Sequence, residues 1–392
     1  MTVAISPPQT AQDILQRARD IAPLLRENAA EIENNRHLPP HVVSLLREAG
    51  VFRAAMPKAW GGPELTSLQQ TELVETLAAG DVSAAWCSMI AMDSGIYSGY
   101  LHEDAAREIY PDLDMANSGW IYPQGRAERV PGGYRVTGQW RFGSGSTHCD
   151  VLVGGCTVYK DGEPEADPVT GEARQWRVMV ARPEQYEITD TWFTTGLAGS
   201  GSRDYQVADL FVPEEHSFAF HSPRRGGPLH AAPDAILRKM SGVPLGMARA
   251  AIDHVRDMAE HRVDRETGTA WASDVRIQTA VAKADMELTA ARNNVYATLS
   301  TQWQALESGT EPTPTERVST ALARYHAFRT GRQIVQSLYD LVGGASVYTK
   351  KSPLDRWLRD ANTMCQHAVA QDSILQLTGN VLLGGKSQSP FF

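Results

Sequence analysis

An aspartate and a histidine, Asp360 and His367, stand seven residues apart in the stretch Trp357-Leu-Arg-Asp-Ala-Asn-Thr-Met-Cys-Gln-His367. No glycine or proline interrupts Leu354 to Leu377, which predicts one continuous helix. Residues seven apart on a helix return to nearly the same face. A carboxylate and an imidazole two turns apart could look into one pocket, where the imidazole takes or gives a proton near neutral pH. Arg359 points elsewhere. The same residues also suit a solvent-facing helix with a hydrated Arg-Asp pair and an incidental histidine. His148, after Ser144-Gly-Ser-Thr, is the other histidine of interest, and its place suits a strand end or the surface.

The elements that must position these residues follow from pattern. Thr10, with Asp13 three residues on, starts a helix over 10–35 whose apolar residues (Ile14, Ala18, Ile21, Leu24, Leu25, Ile32) recur at helical spacing. Pro39-Pro40 opens a second helix that ends at Gly50, and helices follow from Leu65 to Ala79 and from Val82 to Tyr100. Near Ser118 the chain changes character. Tyr134–Trp140, Val151–Tyr159, Trp176–Ala181 and Asp204–Val212 read as strands, with turn chemistry at Pro131-Gly-Gly and a polar hairpin loop from Tyr159 to Gln175. After a Pro/Gly-rich linker (His221 to Pro233), four long helices are predicted: Leu237–His261, Asp274–Leu306, Glu316–Leu341 and Leu354–Leu377, a four-helix bundle. The fold class is therefore α+β. Three domains are expected: an N-terminal helical domain over 1–117, a central β-barrel or sandwich domain over 118–220, and a C-terminal helical bundle over 221–392.

Composition narrows the function. The chain has 392 residues, with 37 Lys+Arg against 46 Asp+Glu and a net charge of −9. Such an acidic chain without a basic run is a poor match to nucleic acid or an anionic membrane. Cys87, Cys149, Cys156 and Cys365 form no C-x-x-C pair, so no metal site is expected and the thiols read as reduced, in a cytoplasmic protein. The N-terminal residues lack the blocks of a signal peptide, and no apolar run reaches membrane-spanning length. No G-x-G-x-x-G stands between a strand and a helix, so no nicotinamide domain is evident.

Several local patterns, in this order, resemble the acyl-CoA dehydrogenase fold over essentially the whole chain. Trp192-Phe-Thr-Thr-Gly196-Leu-Ala-Gly199-Ser-Gly201-Ser202, then Val207 to Pro213, is similar to the family's G-L-R-G-S-G-S…V-P segment, with Ala198 in place of the arginine. Val243-Pro-Leu-Gly246 resembles a helix start. Arg265-Glu-Thr-Gly268 and Gln278 resemble the segment that reaches a neighbouring subunit's flavin. Leu341-Val-Gly343-Gly344 matches the Gly-Gly turn near the flavin pyrophosphate, where backbone N–H groups can approach phosphate oxygens. A plain helix C-cap accounts for Gly343-Gly344 equally well.

The branch is decided by a missing base. The family's dehydrogenases place a catalytic glutamate either nine residues after the position of Arg359 or ten before that of Gly246; here those positions are Ala368 and Ile236. A thioester α-proton is not removed at useful rate without a positioned base. His367 one residue before the missing glutamate, Trp140-Arg-Phe142-Gly-Ser144-Gly145, and Tyr122-Pro-Gln-Gly-Arg-Ala127 instead resemble the two-component flavin-dependent monooxygenases of this fold, such as the oxygenase components acting on p-hydroxyphenylacetate and steroid-derived phenols and the dibenzothiophene monooxygenases. The resemblance implies a reduced flavin (FMNH2 or FADH2) supplied by a separate reductase, dioxygen as co-substrate, a flavin C4a-(hydro)peroxide and a small aromatic or heteroaromatic substrate. It also implies a homotetramer. His367, Ser144 and Asp360 would act in catalysis. Trp140, Phe142, Ser144, Arg265, Gln278, Gly343 and Gly344 would hold the flavin, and Trp86, Asp93 and Ser94 would face the substrate. Relatives with phenolic substrates often carry a histidine near Ser94, and its absence opens the field to an indole, an amine or a sulfur heterocycle. An acyl-CoA dehydrogenase or oxidase with a displaced base, an N- or S-oxygenase, and a catalytically silent flavin-binding relative are the competing readings.

Overall fold

The computed structural model describes residues 8–264, 266–386, 389 and 391. Six helices come first: α1 (Ala11–Asn35), α2 (Pro40–Glu48), α3 (Ser67–Gly80), α4 (Val82–Ala91), α5 (Asp93–Tyr97) and α6 (Glu103–Ile109). Thr10 accepts the Asp13 N–H at 3.1 Å and starts α1, while a reciprocal Thr66–Gln69 capping box starts α3. The helix expected over Val82–Tyr100 breaks at Met92 into α4 and α5.

Eight strands follow: β1 (Asn117–Val130), β2 (Gly133–Gly143), β3 (Val151–Lys160), β4 (Glu163–Pro164), β5 (Trp176–Ala181), β6 (Glu187–Thr189), β7 (Arg203–Pro213) and β8 (Ser217–Phe218). They form one mixed sheet in the order β6-β7-β2-β1-β3-β5-β8, with β4 added to β3 and β1 running parallel to β3. One face of the sheet closes over Trp140, Tyr134, Tyr186 and Tyr205; the other packs Val151, Val153, Val178 and Val180 against α5 and α6. Alternation along each strand supplies both faces.

The remaining helices are α7 (Ala235–Arg238), α8 (Gly242–His261), α9 (Val275–Glu307), α10 (Pro314–Val342), α11 (Leu354–Met364) and α12 (Ser373–Leu382). Thr313, Pro314 and Glu316 cap α10. A single apolar core joins α1, α3 and α4 to α8 through α11.

The fourth long helix predicted from Leu354 to Leu377 is not continuous. It stops at Met364, passes through His367 in extended conformation, makes a short 3-10 turn over Ala368–Ala370, and resumes at Ser373. Two side chains take over the backbone groups that a helix would use. His367 Nδ1 accepts the Val369 N–H at 3.3 Å, and Gln371 Nε2 donates to the Cys365 carbonyl at 2.7 Å. Asp360 and His367 therefore do not share a helix face.

Candidate active site

Asp360 and Arg359 together clamp a loop. Arg359 donates to Glu33 on α1, to Asp355 one turn back and to the Thr195 carbonyl. Asp360 turns inward and its Oδ1 accepts the Leu197 N–H at 2.6 Å. Burial pushes its carboxyl up to about 7, with the Leu197 N–H opposing and Asp81 adding to the rise. The hydrated Arg-Asp pair is thus excluded: the aspartate is interior, and it holds backbone. Gly196 makes the approach possible, since a Cβ there would lie 2.1 Å from the Arg359 carbonyl oxygen.

From Leu197 a line of hydroxyls runs into the protein. Ser200 Oγ donates to the Leu197 carbonyl at 2.7 Å; Ser200 and Ser202 hydroxyls are 2.7 Å apart, as are Ser202 and Ser144. Trp86 on α4 donates its indole N–H to Ser144 Oγ at 3.1 Å. Each hydroxyl has one proton. Ser200 spends its own on Leu197, so Ser202 must donate to Ser200 and Ser144 must donate to Ser202. Ser144 thereby receives from Trp86 and keeps one free lone pair.

His367 packs edge-on against Trp86, with ring centroids 5.6 Å apart. It is half-buried and hemmed in by protein. Burial, aided by the positive charge of Arg324, lowers its pKa to about 4. The ring is neutral at physiological pH. Because Nδ1 accepts from Val369, the proton sits on Nε2, which makes His367 a hydrogen-bond donor there. Beside this cluster Phe142, at a positive φ of 62° and 51 % exposed, lies 5.7 Å from Trp120 and edge-on to Trp192 at 6.2 Å. These rings form an open aromatic wall next to Ser144. The Trp120 indole N–H is sealed from solvent and has no partner among the described residues.

Other expected site residues lie elsewhere. Trp140 is fully buried, donates to the Gly155 carbonyl at 2.8 Å and stacks on Tyr205; it cannot wall a flavin and belongs to the sheet core. Gly125, Gly138 and Gly154 leave the room that its ring fills. Asp93 is not open to substrate either. It forms a buried ion pair with Lys239 at 2.5 Å, and burial raises its carboxyl to about 6 against that pairing. Ser94 is buried, and its hydroxyl has no partner among the described residues. His148 is half-buried rather than on the surface, stacked on Phe52 and lowered to about 4, chiefly by burial. Gln278, at the start of α9, and the Gly343-Gly344 turn, which ends α10, are solvent-exposed in the single chain. Gly343 adopts φ 64°, ψ −140°, a region only glycine enters readily. Arg265 lies outside the described residues.

Trp192, Ser200 and Ser202 lie in the segment that resembles the family's but carry no expected site role there, and nothing in the sequence singles out Trp120. The run Gly199-Ser-Gly-Ser202 was the available signal, since consecutive small polar residues pack hydroxyls within bonding distance. No group of three or more His, Cys, Asp or Glu side chains among the described residues could hold a metal ion. All four cysteines are free and buried. No helix of the described residues is long and apolar enough to cross a membrane.

Residues 8–109 match the family model for the acyl-CoA dehydrogenase N-terminal domain, and residues 239–372 match that for the C-terminal domain. The chain is 31 % identical over 365 residues to an indole-3-acetate monooxygenase of Acinetobacter baumannii, covering 92 % of this chain and 91 % of that one. It is 29 % identical over 369 residues to the flavin-dependent monooxygenase oxygenase subunit HsaA of Rhodococcus jostii, covering 90 % and 94 %. Among solved structures, the 3-HSA hydroxylase from Rhodococcus sp. RHA1 superposes with a TM-score of 0.89 at 25 % identity, covering 97 % of this chain and 99 % of that one.

Proposed function

Since this chain belongs to the flavin-dependent monooxygenases built on the acyl-CoA dehydrogenase fold, we propose that the cluster around Ser144, Trp86 and His367 is where its oxygenation takes place. The protein is an oxygenase component that uses reduced flavin and dioxygen. Its substrate is a small aromatic or heteroaromatic molecule; indole-3-acetate, the substrate named for one relative, is of this class. The flavin arrives reduced from a separate reductase, as FMNH2 or FADH2.

The residues present suit such a flavin. Phe142, Trp120 and Trp192 offer half-exposed rings to an apolar tricycle. Ser144 offers an acceptor lone pair to the N–H that a reduced flavin carries at N5. Gln278 and Gly343-Gly344 face outward, where a second copy of the chain would bring them to its flavin. Exposed apolar residues near them (Val275, Val347, Tyr348) suit the same contact, and the assembly is a homotetramer. A monodisperse monomer in light scattering, still active, would sink that assembly.

When bound, reduced flavin supplies the two electrons that activate dioxygen. The chain's own residues do the rest. The Asp360–Leu197–Ser200–Ser202 line holds the Ser144 hydroxyl in one orientation. His367 holds a proton on Nε2 beside the Trp86 wall, ready to donate to an oxygen atom in the pocket. Phe142, Trp120 and Trp192, half-exposed in the free chain, would cover a bound flavin from water.

One observation carries this reading over dehydrogenation. The two positions that carry the base in the family's dehydrogenases are Ala368 and the buried Ile236 here, and the neighbouring His367 is a neutral imidazole able to donate. Turnover of indole-3-acetate with reduced FMN or FAD under 18O2 tests it. Label in the product and colourless purified protein are expected. A stoichiometric yellow FAD that an acyl-CoA bleaches would instead mark a dehydrogenase.

A further inference from the structure

Behind His367 lies a buried positive charge that no carboxylate of the described residues pairs with. Arg324 projects from α10 and is 3 % exposed. Among the described residues it makes no hydrogen bond and no ion pair, and its Nε is sealed from solvent with nothing to bond. Its one carboxylate neighbour is already engaged. Asp234 Oδ1 accepts from Arg238 Nε at 3.1 Å and from its terminal nitrogen at 2.5 Å, while Oδ2 accepts from Gln302 at 2.7 Å. The adjoining Lys239–Asp93 pair is neutral overall. Two buried guanidinium groups thus share one carboxylate, and one positive charge is left over.

Such a charge is costly in a protein interior unless an anion meets it. Burial lowers the Arg324 pKa to about 10, with Asp234 only partly offsetting the fall. Two further polar atoms in the same region are sealed and unpartnered: Ser94 Oγ on α5 and Gln302 Oε1 on α9. The place is next to the proposed site. One turn beyond Arg324, the Phe328 carbonyl accepts the Cys365 thiol, two residues before His367. The Arg324 charge adds to burial in lowering the His367 pKa.

We infer that Arg324 anchors a carboxylate on the substrate, so that the molecule's ring lies between this guanidinium and His367. The inference rests on the oxygenase reading of the site and narrows its substrate to aromatic carboxylates. A guanidinium fork pairs with a carboxylate through two parallel hydrogen bonds, which neither a phenol nor a bare ring can make. A site whose buried donors are left unpaired by an analogue rejects that analogue strongly, on the order of a hundredfold or more.

The test compares indole-3-acetate with 3-methylindole, the same ring without the carboxylate, by titration of tryptophan fluorescence in flavin-free protein and by KM with reduced flavin and dioxygen. Wild type should bind indole-3-acetate about a hundredfold more tightly than 3-methylindole. Arg324→Met should bind the two alike, raise KM for indole-3-acetate far more than it lowers kcat, and leave reduced-flavin affinity in place. It should also melt no lower than wild type, because the lost charge had no partner. Arg324→Gln, should the methionine fold poorly, should lose the same preference. A wild type without preference for the carboxylate, or an Arg324→Met protein that keeps it, overturns the assignment. Failure of the oxygenase reading would show separately, as wild type that neither binds reduced flavin nor incorporates dioxygen.

Discussion

Ser200→Ala should change which redox state of flavin the protein prefers. The hydroxyl order along the line leaves Ser144 as an acceptor, and a reduced flavin presents a proton at N5 where an oxidised one presents a lone pair. Holding oxidised flavin requires every hydroxyl in the line to reverse. Ser200 Oγ would then face the Leu197 carbonyl oxygen at 2.7 Å with no proton between them. The loss is that of one neutral buried hydrogen bond, about 0.5–1.5 kcal/mol, or about twofold to twelvefold in a ratio of dissociation constants. Alanine at 200 removes the anchor, while Leu197's carbonyl keeps the Trp192 indole N–H at 2.9 Å. The ratio of oxidised to reduced Kd should fall by that factor, mainly through tighter oxidised binding. Anaerobic titration with reduced FMN or FAD and aerobic titration with the oxidised forms measure it. Ser202→Ala should act the same way. Ser146→Ala is the control, since its hydroxyl donates to the Gly201 carbonyl outside the line. A ratio unmoved in both line variants, or one moved as much by Ser146→Ala, refutes the reasoning.

Three further outcomes are expected. His367→Ala should cut product formation by about a hundredfold to ten-thousandfold and divert reduced flavin to hydrogen peroxide, measured per flavin consumed; His367→Gln, still a donor, should recover part of the yield. Since the ring's pKa lies at about 4 in the fold against about 6.5 unfolded, it contributes stability above pH 6.5 that is lost as pH falls toward 4, and coupling should show no His367 titration between pH 6 and 8. Asp360 carries the opposite sign: its carboxyl is raised to about 7, so its contribution is full below the unfolded value near 3.9 and is lost as pH rises through 7. Asp360→Asn, which keeps an acceptor for the Leu197 N–H, should therefore match or exceed wild type in urea at pH 8.5, whereas Asp360→Ala should lose about 1–3 kcal/mol through an orphaned N–H. Trp140→Phe should lower stability by about 1–3 kcal/mol yet leave flavin Kd unchanged; a weakened Kd without destabilisation would return Trp140 to the flavin wall.

The order of helices, strands and helices was legible in the sequence, because it rests on periodicity and local punctuation. Thr10 and Gly50 mark ends whose causes lie within a few residues. The missing carboxylates at Ala368 and Ile236 were equally plain, and they set the branch. Position in a pattern singled out His367 and Ser144, and in the structure both side chains touch Trp86. What the sequence could not decide depends on atoms distant along the chain. Helix propensity favoured one run through His367, but an imidazole and a glutamine amide claimed the backbone there. Trp140 and Phe142, two residues apart on one strand, were both assigned to the flavin. A local twist at Phe142, with positive φ, sends one ring to the surface while three glycines bury the other. Asp93 read as a substrate contact because nothing nearby in sequence announces Lys239. Arg324 carried no signal at all, one arginine on a long amphipathic helix. Its meaning comes from a count of charges on and beside α5, α7 and α10, which only the packed interior, with its high cost for an unpaired ion, turns into a requirement.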